Sequence, residues 1–441
     1  MTLRNGSVAT LGRFLAVISG LIFLAGCGGS SSSSSSTSTP AATNSVPVTV
    51  GFGPLGAAGQ YYNGIFTSVT VCVPGTSTCQ TIPNVLVDSG SVGLRILDSA
   101  LTTVSPSSLG TITDSTGDQL QECVQFGDLS YVWGSVLVAD VKLGGEKASS
   151  VPIQVIGDTS STVPASCFGT NAIGLNDDTV ANLGANGILG VQGYPQDCGG
   201  SCSTGTFFSG YPYYFCPSGA CSETAVDVAY QVWNPVAAFS SSDNNGVLIT
   251  LPSIPAAGAA DGTISGTMIF GVGTQTDNVF SSSATLYALD EYGNFPQVSY
   301  NGIAYDSPNN GSFIDSGSNA LFVLDATTLG ISDCTDNGYY CPSQTLTLSG
   351  ISISGYDSVG SGTVSLSIAN ADTLFSTNPT FSAFSNLGGD SGTGISNDSF
   401  DFGLPFFFNK TVYIGMMPGT FSGESPGPSI ASSATYGYCA F

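Results

Sequence analysis

The sequence predicts a mainly β protein of two pseudo-symmetric, barrel-like lobes with a cleft between them. Three observations lead there. Short β-type runs recur along the chain, separated by Gly, Asn, Asp, Ser and Pro. Long helical periodicity is scarce. An eleven-residue segment occurs twice: Asp88-Ser-Gly-Ser-Val-Gly-Leu-Arg-Ile-Leu-Asp98 and Asp315-Ser-Gly-Ser-Asn-Ala-Leu-Phe-Val-Leu-Asp325. Seven of the eleven positions are identical, and the copies start 227 residues apart (315 minus 88) in a chain of 441. Two lobes with one copy each are the simplest account.

The N-terminus comes first. Arg4 and Arg13 precede the apolar run Phe14 to Phe23, which leads into Leu24-Ala25-Gly26-Cys27. A charged start, an apolar stretch and a small-residue site ending in cysteine resemble a bacterial lipoprotein signal. The resemblance implies that residues 1–26 are removed and that Cys27 is lipidated. Residues 27–45, rich in serine, then form a flexible tether. The implied location is the bacterial cell envelope, anchored to a membrane by lipid. Gly28 is not aspartate, so retention in the inner membrane is not signalled and the outer membrane is expected. No other stretch is apolar and long enough to span a bilayer.

The first lobe is expected over residues 46–274 and the second over 275–441. Strand-like runs include Ile65 to Val73, Val85 to Val87, Val132 to Leu143, Thr267 to Phe270 and Thr345 to Ile353. Each repeated motif follows an apolar strand, Val85-Leu86-Val87 in one copy and Phe313-Ile314 in the other.

Composition narrows the chemistry. Charged residues make up 8% of the chain, against about 25% in an ordinary soluble domain. With 25 Phe and 18 Tyr there is ample material for a core. Six basic residues stand against thirty acidic ones, a formal charge of −24. That argues against nucleic acid as a partner. The chain has no histidine, which excludes a Ser-His-Asp triad, a Cys-His pair and any His-ligated metal. No metal or cofactor is expected. Few ion pairs can form, so few break on acidification, and tolerance of low pH is expected.

Twelve cysteines suit an oxidising compartment. By spacing, Cys72 and Cys79, Cys198 and Cys202, Cys216 and Cys221, and Cys334 and Cys341 are local pairs. Cys123, Cys167 and Cys439 remain, with an odd thiol that is free or bridges to another molecule.

The repeated motif suits carboxylate chemistry. An Asp ending a buried strand must be hydrogen-bonded. Ser-Gly-Ser beside it supplies hydroxyls and unhindered amides, and Gly90 and Gly317 permit a tight turn and close approach. If the two turns meet about a two-fold-like axis, Asp88 and Asp315 face each other and share one proton. The ionised carboxylate then activates water, while the protonated one hydrogen-bonds a substrate carbonyl.

These residues resemble the pepsin-like aspartic peptidases, of a kind carried by a bacterial lipoprotein family. Further segments share the resemblance over nearly all of the chain from Val46. Tyr61 to Ile65 looks like the first strand, and Trp133 to Gly145 like the strand returning from the flap. Gly187-Ile188-Leu189-Gly190 looks like the strand threading the first lobe's ψ-shaped loop. Met268 to Gly271 resembles the strand closing that lobe. Phe402 to Phe408 is placed as the second lobe's counterpart of the threading strand. The resemblance implies an aspartic endopeptidase acting on peptide or protein substrates, with Asp88 and Asp315 as catalytic pair. Ser89 and Ser316 would reach to the opposite loop, and Ser91 and Ser318 would bond the outer carboxylate oxygens. Phe126, Tyr131 and Trp133 are the flap candidates. Two departures stand out: Val92-Gly93 follows the first motif in place of polar residues, and Arg95 takes the place of a common Trp. An Arg there would depress a nearby carboxylate or mark loss of catalysis. No basic prosegment precedes the first strand.

Three rivals remain: an inactive scaffold binding a peptide or glycan in the same cleft, a glycosidase with more widely spaced carboxylates, and a calcium-stabilised adhesin using Asp243-Asn244-Asn245-Gly246.

Overall fold

The structure is a computed structural model that describes residues 44–56, 61–158, 161–168, 176–204, 212–217, 220–305, 311–335, 338–390, 399–417 and 435–441. The expected signal segment, Cys27 and the serine tract lie outside the described residues.

The chain is mainly β, as the turn-punctuated apolar runs require. In the first lobe six strands close on themselves. Their order is Gly64–Cys72, Cys79–Asp88, Gly187–Val191, Val92–Leu97, Glu146–Ile156 and Tyr131–Leu143. The last pairs back to the first through Thr70 with Lys142 and Val71 with Val141. Closure removes the sheet edges. The barrel is filled by β-branched and Leu side chains, among them Val69, Val85, Val87, Leu94, Ile96, Val141, Ile153 and Leu189, all buried. Each such side chain stabilises the fold by about 1.5–3 kcal/mol relative to exposure.

A ribbon of antiparallel strands runs on from the barrel and joins the lobes. Ser45–Gly51 pairs with Ile264–Phe270, which pairs with Gly246–Leu251. Gly246–Leu251 pairs in turn with Lys410–Gly415 of the second lobe along six residue pairs. The C-terminal strand Tyr438–Ala440 lies between Lys410–Gly415 and Leu286–Ala288.

The second lobe contributes two four-stranded sheets. In one, Leu346–Ser354 pairs with Ser361–Ile368, buried Leu348, Ile351 and Ile353 alternating with exposed or half-buried neighbours. The alternation slips one register between Leu348 and Ile351. Gly350 sits there at φ 75°, the conformation such a bulge favours. In the other sheet, Phe313–Asp315 runs parallel to Phe400–Gly403, which is antiparallel to Leu321–Val323. The first lobe has the same arrangement: Cys79–Asp88 is parallel to Gly187–Val191, itself antiparallel to Val92–Leu97. These two ψ-shaped units carry the pseudo-symmetry. The second threading strand is Phe400–Gly403, so of Phe402 to Phe408 only the first two residues belong to it. Leu404–Phe407 forms a short 3-10 turn beyond it.

Asn63 fastens the lobes outside the ribbon. Its side chain donates to the carbonyls of Asn319 at 2.9 Å and Phe384 at 3.0 Å, and accepts from the Phe384 amide at 2.7 Å. Its own amide donates to the Ser382 carbonyl at 2.7 Å. Asn tolerates its φ of 52° better than most residues. Asn63→Ala leaves a buried amide and two carbonyls short of partners. We expect it to lower unfolding free energy by about 2–3 kcal/mol, read from denaturant midpoints at unchanged m.

Five disulfides close: Cys72–Cys79, Cys123–Cys167, Cys198–Cys202, Cys216–Cys221 and Cys334–Cys341. The four local pairs are those the spacing suggests. Such a set belongs to a protein folding outside the cytoplasm. Cys439 is free but buried, so it is not placed to bridge to another molecule. No helix among the described residues is long and apolar enough to cross a membrane.

Candidate active site

The two ψ-shaped units set Asp88 and Asp315 at the ends of equivalent strands, and each following turn wraps its own carboxylate. Asp88 accepts from the Gly90 amide at 2.8 Å and the Ser91 hydroxyl at 2.6 Å. Asp315 accepts from the Gly317 amide at 2.7 Å and the Ser318 hydroxyl at 2.7 Å. The remaining serines cross between lobes. Ser89 Oγ donates to the Ile314 carbonyl at 3.1 Å and accepts from the Ser316 amide at 2.9 Å. Ser316 Oγ donates to the Val87 carbonyl at 2.8 Å and accepts from the Ser89 amide at 3.0 Å. Each hydroxyl therefore binds the backbone flanking the opposite aspartate, so neither carboxylate shifts alone.

The two carboxyls hydrogen-bond each other. Burial first, then the charge of Asp315, pushes Asp88 up from 3.8 to about 8, against the opposing bonds from Ser91 and Gly90. The pair thus retains a proton, and its contact is closer than the gap of about 5 Å or more that glycosidases keep. Glycine is required on steric grounds in both turns. A Cβ on Gly90 would lie 2.6 Å from Asp315 Cγ, and one on Gly317 would lie 2.7 Å from Asp88 Cγ. We expect Gly90→Ala and Gly317→Ala to force the carboxyls apart. The downward signature is an Asp88 pKa closer to the ordinary carboxyl range, read by carboxyl-selective titration.

The cleft above the pair has a volume of about 450 Å³. One wall is a hairpin of Leu120–Gln125 and Tyr131–Leu143, whose turn is held by the Phe126 amide on the Ser130 carbonyl at 2.8 Å. Of the three flap candidates, Phe126 lines the cleft. Tyr131 and Trp133 are buried with Tyr214 and the Cys123–Cys167 bridge. The Trp133 ring meets Tyr214 edge-on at 5.2 Å. The cleft takes its hairpin lining from Glu122 to Gly127, whereas Tyr131 and Trp133 lie on the returning strand, outside that lining.

Arg95 sits in a charged cluster of its own. It is buried, bonds the Val92 carbonyl, and pairs at 2.9 Å with both Glu122 and Asp197. Tyr213 donates to Asp197 at 2.6 Å and accepts from the Val232 amide at 2.7 Å. Burial opposes the Arg95 charge, but Glu122 and Asp197 raise its pKa further. Burial also raises the Glu122 carboxyl, outweighing the pull of Arg95. The influences on Asp88 come from its own turn and Asp315. Arg95 is not among them, and its pull falls on Glu122 instead. It fills the space behind the hairpin as the centre of a charged cluster.

A further carboxyl was not foreseen. Asp401 lies in the threading strand of the second lobe, fully buried, and lines the cleft. Burial, and then repulsion from Asp315, raises it well above the ordinary range. The sequence signal was an acid between Phe400 and Phe402 in an apolar run.

Two further clusters lie away from the pair, the first at the loop considered for calcium. Asp243 accepts from Ser240 and Ser242 at 2.8 Å each, and from Gln275, so it is a hydrogen-bonded corner. Among the described residues Cys334, Cys341 and Asp372 cluster as a metal site would, but the two sulfurs are joined in a disulfide.

The model of a family described as "Protein of unknown function (DUF3443)" matches residues 40–432. No curated protein matches the sequence. Among solved structures, the chain is similar to the crystal structure of aspartic proteinase from Irpex lacteus, with 15% identity and a TM-score of 0.48. The match covers 90% of this chain and 96% of that one.

Proposed function

The chain belongs to the DUF3443 family, described only as one of unknown function, and on that premise we propose from its site that it is an aspartic endopeptidase. The observation that carries the reading is the pair of aspartates in mutual hydrogen bond, each wrapped by its own Gly amide and Ser hydroxyl and cross-braced by Ser89 and Ser316.

The pair shares one proton and titrates as a unit. A water between the carboxyls loses its proton to the ionised one and attacks the scissile carbonyl carbon. The protonated carboxyl donates to the carbonyl oxygen. The resulting gem-diol collapses as a proton passes to the amide nitrogen, the C–N bond breaks, and an acid and an amine leave. Neither histidine nor a covalent enzyme intermediate is required. Extended peptide would lie across the cleft under the Phe126 hairpin, pairing its backbone with the walls. Phe126 offers a ring and no hydroxyl, so the hairpin packs on substrate rather than donating to it. Lipid anchoring through Cys27 would hold this activity in the bacterial envelope, at the outer membrane.

The test is incubation of the purified protein with a diverse peptide mixture in ¹⁸O-labelled water from pH 3 to 8. Internal cleavage should place one labelled oxygen in each new C-terminal carboxylate, with no adduct trapped by hydroxylamine. Folded protein that cuts nothing would overturn the reading and favour an inactive, ligand-binding cleft.

A further inference from the structure

We propose that Asp401 forms a cation-accepting subsite beside the Asp88–Asp315 pair, one that takes the ammonium or guanidinium of a lysine or arginine side chain in a bound peptide. This rests on the peptide-cleaving reading for its substrate and adds a preference that the pair alone does not imply.

Three independent features carry it. First, both carboxyl oxygens of Asp401 are buried with no hydrogen-bond partner. An unpaired buried carboxylate costs several kcal/mol, so Asp401 keeps its proton in the free protein and releases it to solvent when a cation docks. Ser318 is close enough to favour the ionised form of Asp401, but its single hydroxyl proton is directed to Asp315 at 2.7 Å. Second, the pseudo-symmetry of the lobes supplies a control. Asp315 pairs with Gly403 and Asp88 with Gly190, so Asp401 and Ile188 occupy equivalent positions two residues earlier. Ile188 is a fully buried core residue. The fold therefore accepts an aliphatic side chain at this position, and the acid answers another requirement. Third, no side chain among the described residues supplies Asp401 with a counter-charge. The ion pairs among the described residues are Arg95 with Glu122 and Asp197, and Lys147 with Asp140. Arg95 is the cation in the cleft lining and is already bonded, while Asp88, Glu122, Asp197, Asp315 and Asp401 line the same space. Phe313, paired with Asp401 across the strands, also lines the cleft and gives an aliphatic stem an apolar surface.

The experiment uses the full-length protein and peptides that differ at one position, scanned over three residues on each side of the cleaved bond. Lys, Arg, norleucine and Glu are compared by kcat/KM. One position should prefer Lys or Arg over norleucine by at least about tenfold and reject Glu. In Asp401→Asn and in Asp401→Ile that ratio should fall to within about twofold. The ratio is read within each variant, so a general loss of rate does not mimic the effect, and the asparagine variant covers misfolding of the isoleucine one. Cleavage without basic preference, or a preference that both variants keep, overturns this inference and leaves the peptidase reading standing. Absence of cleavage overturns the peptidase reading instead. The subsite is then judged by fluorescence anisotropy of labelled Lys and norleucine peptides on wild-type protein. Tighter Lys binding that the Asp401 variants lose supports it, and equal or absent binding overturns it.

Discussion

Asp88→Asn and Asp315→Asn should each lower kcat/KM for peptide cleavage by roughly 1,000-fold, the scale of a lost general acid or base. The double variant should be little worse than either single one, because the two carboxyls act as one unit. Asparagine keeps an acceptor for the turn and removes the proton traffic, so the variants should remain folded. They should also unfold at a higher temperature than wild type at pH 8. There the wild-type pair is forced toward two buried negative charges, and each variant holds at most one. Lost activity with raised stability at pH 8 distinguishes a working pair from a structural one. Loss of both would mean that the carboxyls merely hold the lobes together.

The second large effect is on stability against pH. Burial raises Asp88 from 3.8 to about 8, and raises Glu122 and Asp401 as well. A carboxyl whose folded pKa lies above its unfolded one keeps its proton in the native state after the unfolded chain has released it. Unfolding then releases protons, and stability falls as pH rises. The window opens near the ordinary carboxyl value and, for Asp88, closes near 8. Asp140 works the other way. Burial raises it, but Lys147 and the Ser150 and Gly75 amides outweigh that and hold it low, so its contribution disappears as pH drops below about 4. Stability should therefore peak near pH 4 and decline by several kcal/mol toward pH 8, measured by denaturant unfolding at matched ionic strength. The sequence suggested acid tolerance from the scarcity of ion pairs. The structure adds a stronger cause, namely protons held by buried acids. A stability that rises from pH 4 to pH 8 would contradict these shifts.

Much of this was legible before any coordinates. The duplicated Asp-Ser-Gly-Ser segment locates both turns, because a carboxylate ending a buried strand needs local donors and the neighbouring residues supply them. Strand runs such as Val132 to Leu143 announce themselves by apolar content. What the sequence hides is long-range pairing. Nothing near Glu122 names Arg95 or Asp197 as its partners, since the three meet only once the barrel closes. Asn63 looks like a turn residue until Phe384, 321 residues away, arrives to bond it. Phe126, Tyr131 and Trp133 are indistinguishable as aromatics, and only the folded hairpin, with Phe126 at its turn, separates the one that lines the cleft. Asp401 was legible in principle, as a rare acid among phenylalanines. Its importance shows only against Ile188 in the other lobe.

The placement of Cys439 bears on how the molecule is made. Its strand is clasped by Leu286–Ala288 on one side and Lys410–Gly415 on the other. The ten cysteines of the five bridges all precede it in the chain and can pair before this strand docks. Until that strand docks, this thiol is open to attack those bridges by exchange. Docking buries it and pushes its pKa far above the usual thiol value, which removes the attacking thiolate. The closing strand thus acts as a chemical latch: its arrival ends the period in which the five bridges can still be rearranged from within.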